Sequence, residues 1–202
     1  RFYTYISTLH YIMEACAEAS LPLILLDRPN PNAHYIDGPV LDPSFSSFVG
    51  RHPVPVVYGM TIGEYARMIN GEGWLKNGMQ CDLNVIPCAH YDHDKRYRIP
   101  VKPSPNLPTE RSILLYPSLC FFEGTIVSVG RGTEHPFTCY GHPDLKGPYS
   151  FTPGANDAST TPKLEGNLCR GYDLSNIPVE NIRSWRGLEL QWLISSFQSL
   201  KD

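Results

Sequence analysis

A charged pair follows the most apolar run of the chain. Leu23-Ile24-Leu25-Leu26 is continuously apolar, which is typical of a parallel strand that helices cover on both faces. Asp27 and Arg28 come directly after it, and Pro29 and Pro31 restrict the loop that they begin. Open α/β sheets bind ligands beyond the carboxyl ends of their strands, so we interpret Asp27 and Arg28 as candidate ligand contacts. The alternative is an ion pair, mutual or with a neighbour, that closes the loop.

A second carboxylate lies at a predicted helix start. Thr61-Ile62-Gly63-Glu64 has the S/T-x-x-E spacing of a capping box, in which the threonine and glutamate side chains bond each other's backbone amides. We favour this local role for Glu64. If Glu64 instead faces a cleft, the positive helix end favours its ionised form, so it would be a base or a hydrogen-bond acceptor rather than a proton donor.

Arg131 lies between Gly130 and Gly132, after a predicted strand. The glycines allow a close backbone approach, and the planar guanidinium suits a carboxylate ligand. On spacing alone, an ion pair of Arg131 with Glu123 or Glu134 is about as compatible as a ligand contact. The pattern matches neither a phosphate-binding loop nor a dinucleotide fingerprint.

The run His90-Tyr91-Asp92-His93-Asp94 contains ligand types that bind metals. A zinc site needs a third ligand at a readable spacing, and none stands out, so we favour a solvated polar loop over a metal site. The chain shows neither the nucleophile elbow of serine hydrolases nor a local cysteine-protease signature.

Composition excludes several classes of partner. The 202 residues carry 17 Lys and Arg against 20 Asp and Glu, a net charge of −3, which disfavours nucleic acid as a partner. No apolar stretch approaches the roughly 20 residues that span a bilayer. Six cysteines without C-x-x-C spacing indicate buried thiols and do not decide the redox compartment.

Hydrophobic periodicity predicts the elements that carry these residues. An amphipathic helix over residues 4–19 leads into a strand over 23–27, which is a helix-then-strand unit without its preceding strand. We therefore expect the sequence to start midway through an α/β domain. The other predicted strands are 54–58, 83–86 and 125–129, and the other predicted helices are 62–70 and 187–200. Residues 112–122 are ambiguous, and 89–109 predict a polar loop.

Five ordered segments together resemble one family, the exo-acting β-N-acetylmuramidases of bacteria. They are Arg1-Phe2-Tyr3-Thr4-Tyr5-Ile6-Ser7-Thr8-Leu9, Asp27-Arg28-Pro29-Asn30-Pro31, Tyr58-Gly59-Met60-Thr61-Ile62-Gly63-Glu64, Ser104-Pro105-Asn106 and Ser128-Val129-Gly130-Arg131-Gly132-Thr133. The match covers residues 1 to about 173.

The resemblance implies an α/β fold: the end of a Rossmann-like parallel-sheet domain over residues 1–40, followed by a second α/β or α+β domain over 41–202, with the site between them. It implies release of N-acetylmuramic acid from the non-reducing ends of peptidoglycan fragments, without a cofactor or metal, in the periplasm or outside the cell. It also implies a longer parent chain, in which a Pro-Glu-His-Gly motif before the position of Arg1 carries the proposed catalytic glutamate. This portion alone is then expected to be inactive.

The motif residues receive roles by the same resemblance. Asp27 and Glu64 are the expected catalytic carboxylates of this portion, and the expected substrate contacts are Arg28, Asn30, Tyr58, Asn106 and Arg131. Muramic acid differs from glucosamine by a lactyl carboxylate, for which Arg28 and Arg131 are the available cations. The alternatives are a non-catalytic carbohydrate or cell-wall recognition module and a purely structural domain. The sequence predicts no oligomeric state.

Overall fold

The computed structural model describes residues 3–201 and divides the chain into two compact units. The first extends to Tyr97 and the second begins at Arg98. The boundary predicted at residue 40 falls inside the first unit. Mixed α/β architecture with a small parallel sheet is confirmed. No helix within the described residues is long and apolar enough to cross a membrane.

The first unit is built around a parallel strand pair. Its elements are α1 (Tyr5–Glu18), β1 (Leu23–Leu26), β2 (Asp37–Val40), β3 (Pro55–Val57), α2 (Ile62–Gly71) and β4 (Leu83–Ile86). β1 pairs with β4 in parallel, from Leu23 opposite Leu83 to Leu26 opposite Ile86, and β2 pairs with β3 antiparallel. The predicted strand over 83–86 and the predicted helix over 62–70 are confirmed.

The apolar faces of α1 and α2 form the core of the first unit. Ile6, Leu9 and Met13 recur at helical spacing and pack in one cluster with Tyr65 and Ile69. β1 differs from the expected strand that is covered on both faces. Within the described residues, Ile24 and Leu26 remain 64% and 73% exposed, because their side chains point to the face that the core does not cover.

A buried polar chain crosses this core. His52 Nδ1 lies 3.0 Å from the Tyr65 hydroxyl, and His52 Nε2 lies 3.0 Å from His10 Nδ1. His10 Nε2 lies 3.1 Å from Glu14 Oε1. Burial lowers the pKa of His10, Arg51 lowers it further, and Glu14 opposes both. The sequence pattern had indicated none of these contacts.

The second unit combines an antiparallel sheet with three helices. Its elements are α3 (Glu110–Leu119), β5 (Cys139–His142), β6 (Tyr149–Phe151), β7 (Cys169–Asp173), α4 (Val179–Trp185) and α5 (Gln191–Leu200). β7 is the central strand, between β5 and β6. The ambiguous region 112–122 is helical, as α3 and a 3-10 turn over Cys120–Gly124. The helix predicted from residue 187 begins at Gln191.

The strand predicted over 125–129 is wrong. Only Ser128 makes a β-bridge there, with Gly141. The Lys163 ammonium lies instead within hydrogen-bond distance of four carbonyl oxygens, those of Phe122, Glu123, Thr125 and Val127, which share its three N–H donors. A side chain therefore satisfies backbone acceptors that a neighbouring strand would otherwise take.

Candidate functional site

One edge of the parallel strand pair of the first unit holds four of its predicted site residues: Asp27, Arg28, Asn30 and Glu64. Because β1 and β4 run in the same direction, their carboxyl ends meet, and the Asp27 amide extends the ladder by donating to Ile86 O at 2.9 Å. The first turn of α2 lies at the same edge, since Asp27 bonds to it. The loop after β4 supplies Tyr91 and His93. This arrangement matches the strand-end location expected for a ligand site in an α/β sheet.

The Asp27 carboxylate accepts three hydrogen bonds. Its Oδ1 accepts from the amides of Arg28 and Gly63, both at 2.8 Å, and its Oδ2 accepts from Thr61 Oγ1 at 2.7 Å. Gly63 is the second residue of α2, so Asp27 satisfies a helix-terminal amide that has no partner inside the helix. These bonds join the end of β1 to the start of α2, and neither of the ion pairs considered for Asp27 is needed to explain them.

Gly63 is required by that contact. A Cβ at this position would lie 2.7 Å from Asp27 Cγ and 2.6 Å from Val85 Cγ1, closer than real Cβ contacts. Gly59 has a φ of +68°, which side chains rarely adopt. Both glycines of the Tyr58-to-Glu64 motif therefore have a steric reason.

The predicted capping box of Glu64 is confirmed. Thr61 Oγ1 accepts from the Glu64 amide at 3.2 Å, and Glu64 Oε2 accepts from the Thr61 amide at 2.8 Å. The Glu64 carboxylate makes further contacts beyond the capping box, however. His93 Nε2 lies 2.9 Å from Glu64 Oε2 and 3.0 Å from Oε1, and the Glu64 side chain is 40% exposed. Glu64 thus caps its helix and also presents a carboxylate to solvent.

Asn30 and Tyr91 fix the loop that follows Asp27. Asn30 Nδ2 donates to Met60 O at 2.9 Å, and Asn30 Oδ1 accepts from the Asn32 amide at 3.0 Å. The Tyr91 hydroxyl accepts from the Asn30 amide at 3.1 Å and donates to the Asn30 carbonyl at 3.0 Å. Burial raises the pKa of Tyr91, the hydrogen bond from the Asn30 backbone partly opposes that rise, and the Glu64 carboxylate adds to it, so the phenol stays protonated and able to donate.

The segment 90–94 is therefore more than the solvated loop that we favoured. Tyr91 and His93 reach Asn30 and Glu64, while Asp92 Oδ1 closes the turn by accepting from the Lys95 amide at 2.8 Å. Within residues 3–201, no group of three or more His, Cys, Asp or Glu side chains is arranged to hold a metal. Sequence reasoning missed both contacts, although the position of this segment after β4 was a usable signal.

The remaining predicted contacts of the first unit differ in exposure. Arg28 is exposed beside Asp27. Burial raises the pKa of the Cys88 thiol, and the positive charge of Arg28 opposes that rise. Tyr58 is only 6% exposed and packs on the Tyr65 ring with centroids 4.8 Å apart. The structure thus places Tyr58 in the core.

Asn106 and Arg131 lie in the second unit. Asn106 is 5% exposed, and its Nδ2 donates to Ala158 O at 2.6 Å. Arg131 donates to Glu123 Oε1 from Nε at 3.1 Å and from Nη2 at 2.7 Å, and its guanidinium lies over the Phe137 ring. The interpretation of Arg131 as a partner of Glu123 describes this geometry. Its role as a substrate contact stays a prediction.

Comparisons with known proteins match both parts of the chain. Residues 1–111 match the family model "Exo-beta-N-acetylmuramidase NamZ, N-terminal", and residues 114–200 match its C-terminal counterpart. The chain is 42% identical over 191 residues to the peptidoglycan beta-N-acetylmuramidase NamZ of Bacillus subtilis strain 168, which covers 86% of this chain and 45% of that protein.

Two solved structures from Bacteroides fragilis, both described as DUF1343 family proteins, are similar in fold. One has a TM-score of 0.95 and 49% identity over 99% of this chain and 57% of its own. The other has a TM-score of 0.73 and 26% identity over 98% of this chain and 56% of its own. The chain thus spans about half the length of the relatives that it matches. With family models that match both of its parts, the chain belongs to the exo-β-N-acetylmuramidase family.

Proposed function

We propose that the protein is a glycoside hydrolase that releases N-acetylmuramic acid from the non-reducing ends of peptidoglycan fragments. Membership of the family and the name of the Bacillus subtilis relative support this proposal. Neither comparison favours a non-catalytic recognition module. Because the substrate is a cell-wall polymer, we also propose a periplasmic or secreted location.

The observation that carries the proposal is the meeting of two carboxylates at Thr61. The Thr61 amide donates to Glu64 Oε2, and the Thr61 hydroxyl donates to Asp27 Oδ2. Glycosidases of the usual kind act through paired carboxyl groups beside the scissile bond. Two carboxylates held at one edge of a sheet, next to an exposed arginine, suit a polar sugar substrate.

The two carboxylates differ in what they can still do. Asp27 accepts three hydrogen bonds, so we propose that it mainly orients the first turn of α2. Glu64 is 40% exposed and bonds in its acceptor form to Thr61 and His93. Glu64 is therefore the better candidate to contact the sugar, as a base or as an acceptor for a sugar hydroxyl.

The two arginines differ in the same way. Arg131 already has the Glu123 carboxylate as a partner, whereas Arg28 is exposed beside Asp27. A lactyl carboxylate would have to compete with Glu123 for the charge of the Arg131 guanidinium. We therefore propose Arg28 as the cation that recognises the lactyl group.

The test uses the protein at its full natural length with a nitrophenyl muramide and the matching glucosaminide. We expect hydrolysis of the muramide, insensitive to chelators. Glu64→Gln should lower kcat/KM by about 100-fold or more if Glu64 acts in proton transfer. Glu72→Gln is the matched control, since Glu72 is exposed at the other end of α2. Equal turnover of the two sugars would contradict the proposed substrate.

A further inference from the structure

We propose that His93 is a positioning residue that holds the Glu64 carboxylate in its working orientation. The inference rests on the proposed function, in which Glu64 acts on the sugar. Family membership and motif spacing do not point to His93, because it lies outside the five segments that resemble the family.

The contact defines which atom donates. His93 Nε2 lies almost equally far from the two Glu64 oxygens, at 2.9 and 3.0 Å. A carboxylate only accepts hydrogen bonds, so Nε2 carries the proton in this contact. Together with the Thr61 amide on Oε2, His93 holds a side chain that has three rotatable bonds from two sides.

His93 is itself held in place. The Tyr91 hydroxyl, two residues earlier, both accepts from and donates to the Asn30 backbone. The Asp92 side chain accepts from the Lys95 amide, a bond that closes the turn around His93. His93 therefore belongs to an anchored turn. Tyr91 of this turn bonds the loop after β1, and His93 of the same turn bonds Glu64.

Because the His93–Glu64 contact is exposed, its effect on activity can be measured separately from its effect on stability. The side chains of His93 and Glu64 are 44% and 40% exposed. Exposed ion pairs contribute little to the free energy of unfolding, because solvent competes for both partners. Orientation is different, since a small misplacement of a reacting group can lower the rate by about 100-fold.

The experiment compares His93→Ala, His93→Gln and His90→Asn at full natural length. His93→Ala should lower kcat for the muramide by about 10- to 100-fold, with KM and the melting temperature nearly unchanged. His93→Gln keeps an N–H donor near the position of Nε2 and should restore most of kcat. His90→Asn is the matched control, because it removes an exposed imidazole of the same segment at a residue with φ of +56°, which Asn tolerates.

The outcomes are distinguishable from those of the proposed function. An inactive wild-type protein would overturn the proposed function and this inference with it. If the wild type is active and His93→Ala is equally active, this inference alone fails. It also fails if His93→Gln is as impaired as His93→Ala, or if kcat falls only in parallel with the melting temperature.

Discussion

Thr61 Oγ1 donates a 2.7 Å hydrogen bond to Asp27 Oδ2, across 34 positions of sequence. The same oxygen accepts from the Glu64 amide at 3.2 Å. One threonine hydroxyl therefore caps α2 and connects it to the end of β1. The hydroxyl bonds the Asp27 carboxylate directly, whereas the Glu64 carboxylate is bonded by the amide of the same threonine.

Replacing Thr61 by Val should remove more than an ordinary helix cap. The variant loses the bond to the Glu64 amide, worth about 1 kcal/mol, and a bond to a charged group, worth about 1.5 to 3 kcal/mol. Thr109→Val is the control, because Thr109 caps α3 in a similar box through Ser112. Urea titration should show the larger loss for Thr61→Val, and equal losses would contradict the role of Asp27.

Gly63→Ala should destabilise the protein although alanine favours helices. The new Cβ would meet Asp27 Cγ at 2.7 Å, and relieving such overpacking costs about 1 to 3 kcal/mol. Gly71 ends the same helix, and a Cβ added there would meet nothing within 4 Å, so Gly71→Ala should be neutral or stabilising by up to about 1 kcal/mol. A stable Gly63→Ala protein would mean that Asp27 can move away.

The buried histidine chain should make stability depend on pH. Burial is the largest cause that lowers the pKa of His10 below its ordinary value of 6.5, with Arg51 second and Glu14 opposing. The unfolded chain then binds a proton that the folded chain resists, so the free energy of unfolding falls as pH drops below about 6.5. Besides His10, the buried polar chain contains His52, Tyr65 and Glu14.

His10→Gln should reduce the slope of unfolding free energy against pH between about 7.5 and 5.5, where one such proton accounts for at most about 1.4 kcal/mol per pH unit. His90→Asn changes an exposed histidine and should keep the slope. An unchanged slope in His10→Gln would assign the acid sensitivity to another group.

Substitution by lysine, which removes the two-pronged guanidinium contact, should affect activity differently at Arg28 and at Arg131. Arg28→Lys keeps the charge but loses the two-pronged contact, which should cost about 1.5 to 3 kcal/mol in kcat/KM for the muramide and little for the glucosaminide. Arg131→Lys weakens the bond to Glu123, so it should lower the melting temperature and depress both substrates alike. The reverse pattern would assign the lactyl carboxylate to Arg131.

The sequence by itself determined the elements whose signals are local. The apolar spacing of Ile6, Leu9 and Met13 predicted α1, the Thr61-to-Glu64 box predicted the start of α2, and residues 83–86 predicted β4. Periodicity and capping depend on neighbours within about one helical turn, so one chain segment carries enough information. The order of five motifs also identified the family, which the comparisons confirmed.

Only the tertiary structure decided which side chains meet. Asp27 reaches Gly63, Tyr91 reaches Asn30 and His93 reaches Glu64 because β1 and β4 pair in parallel and bring their carboxyl ends together. The Thr125–Val129 prediction was wrong for the same kind of reason, since the distant Lys163 takes the carbonyls that a strand would share. Contacts between residues about 30 or more positions apart depend on strand pairing and packing, and local sequence patterns do not encode them.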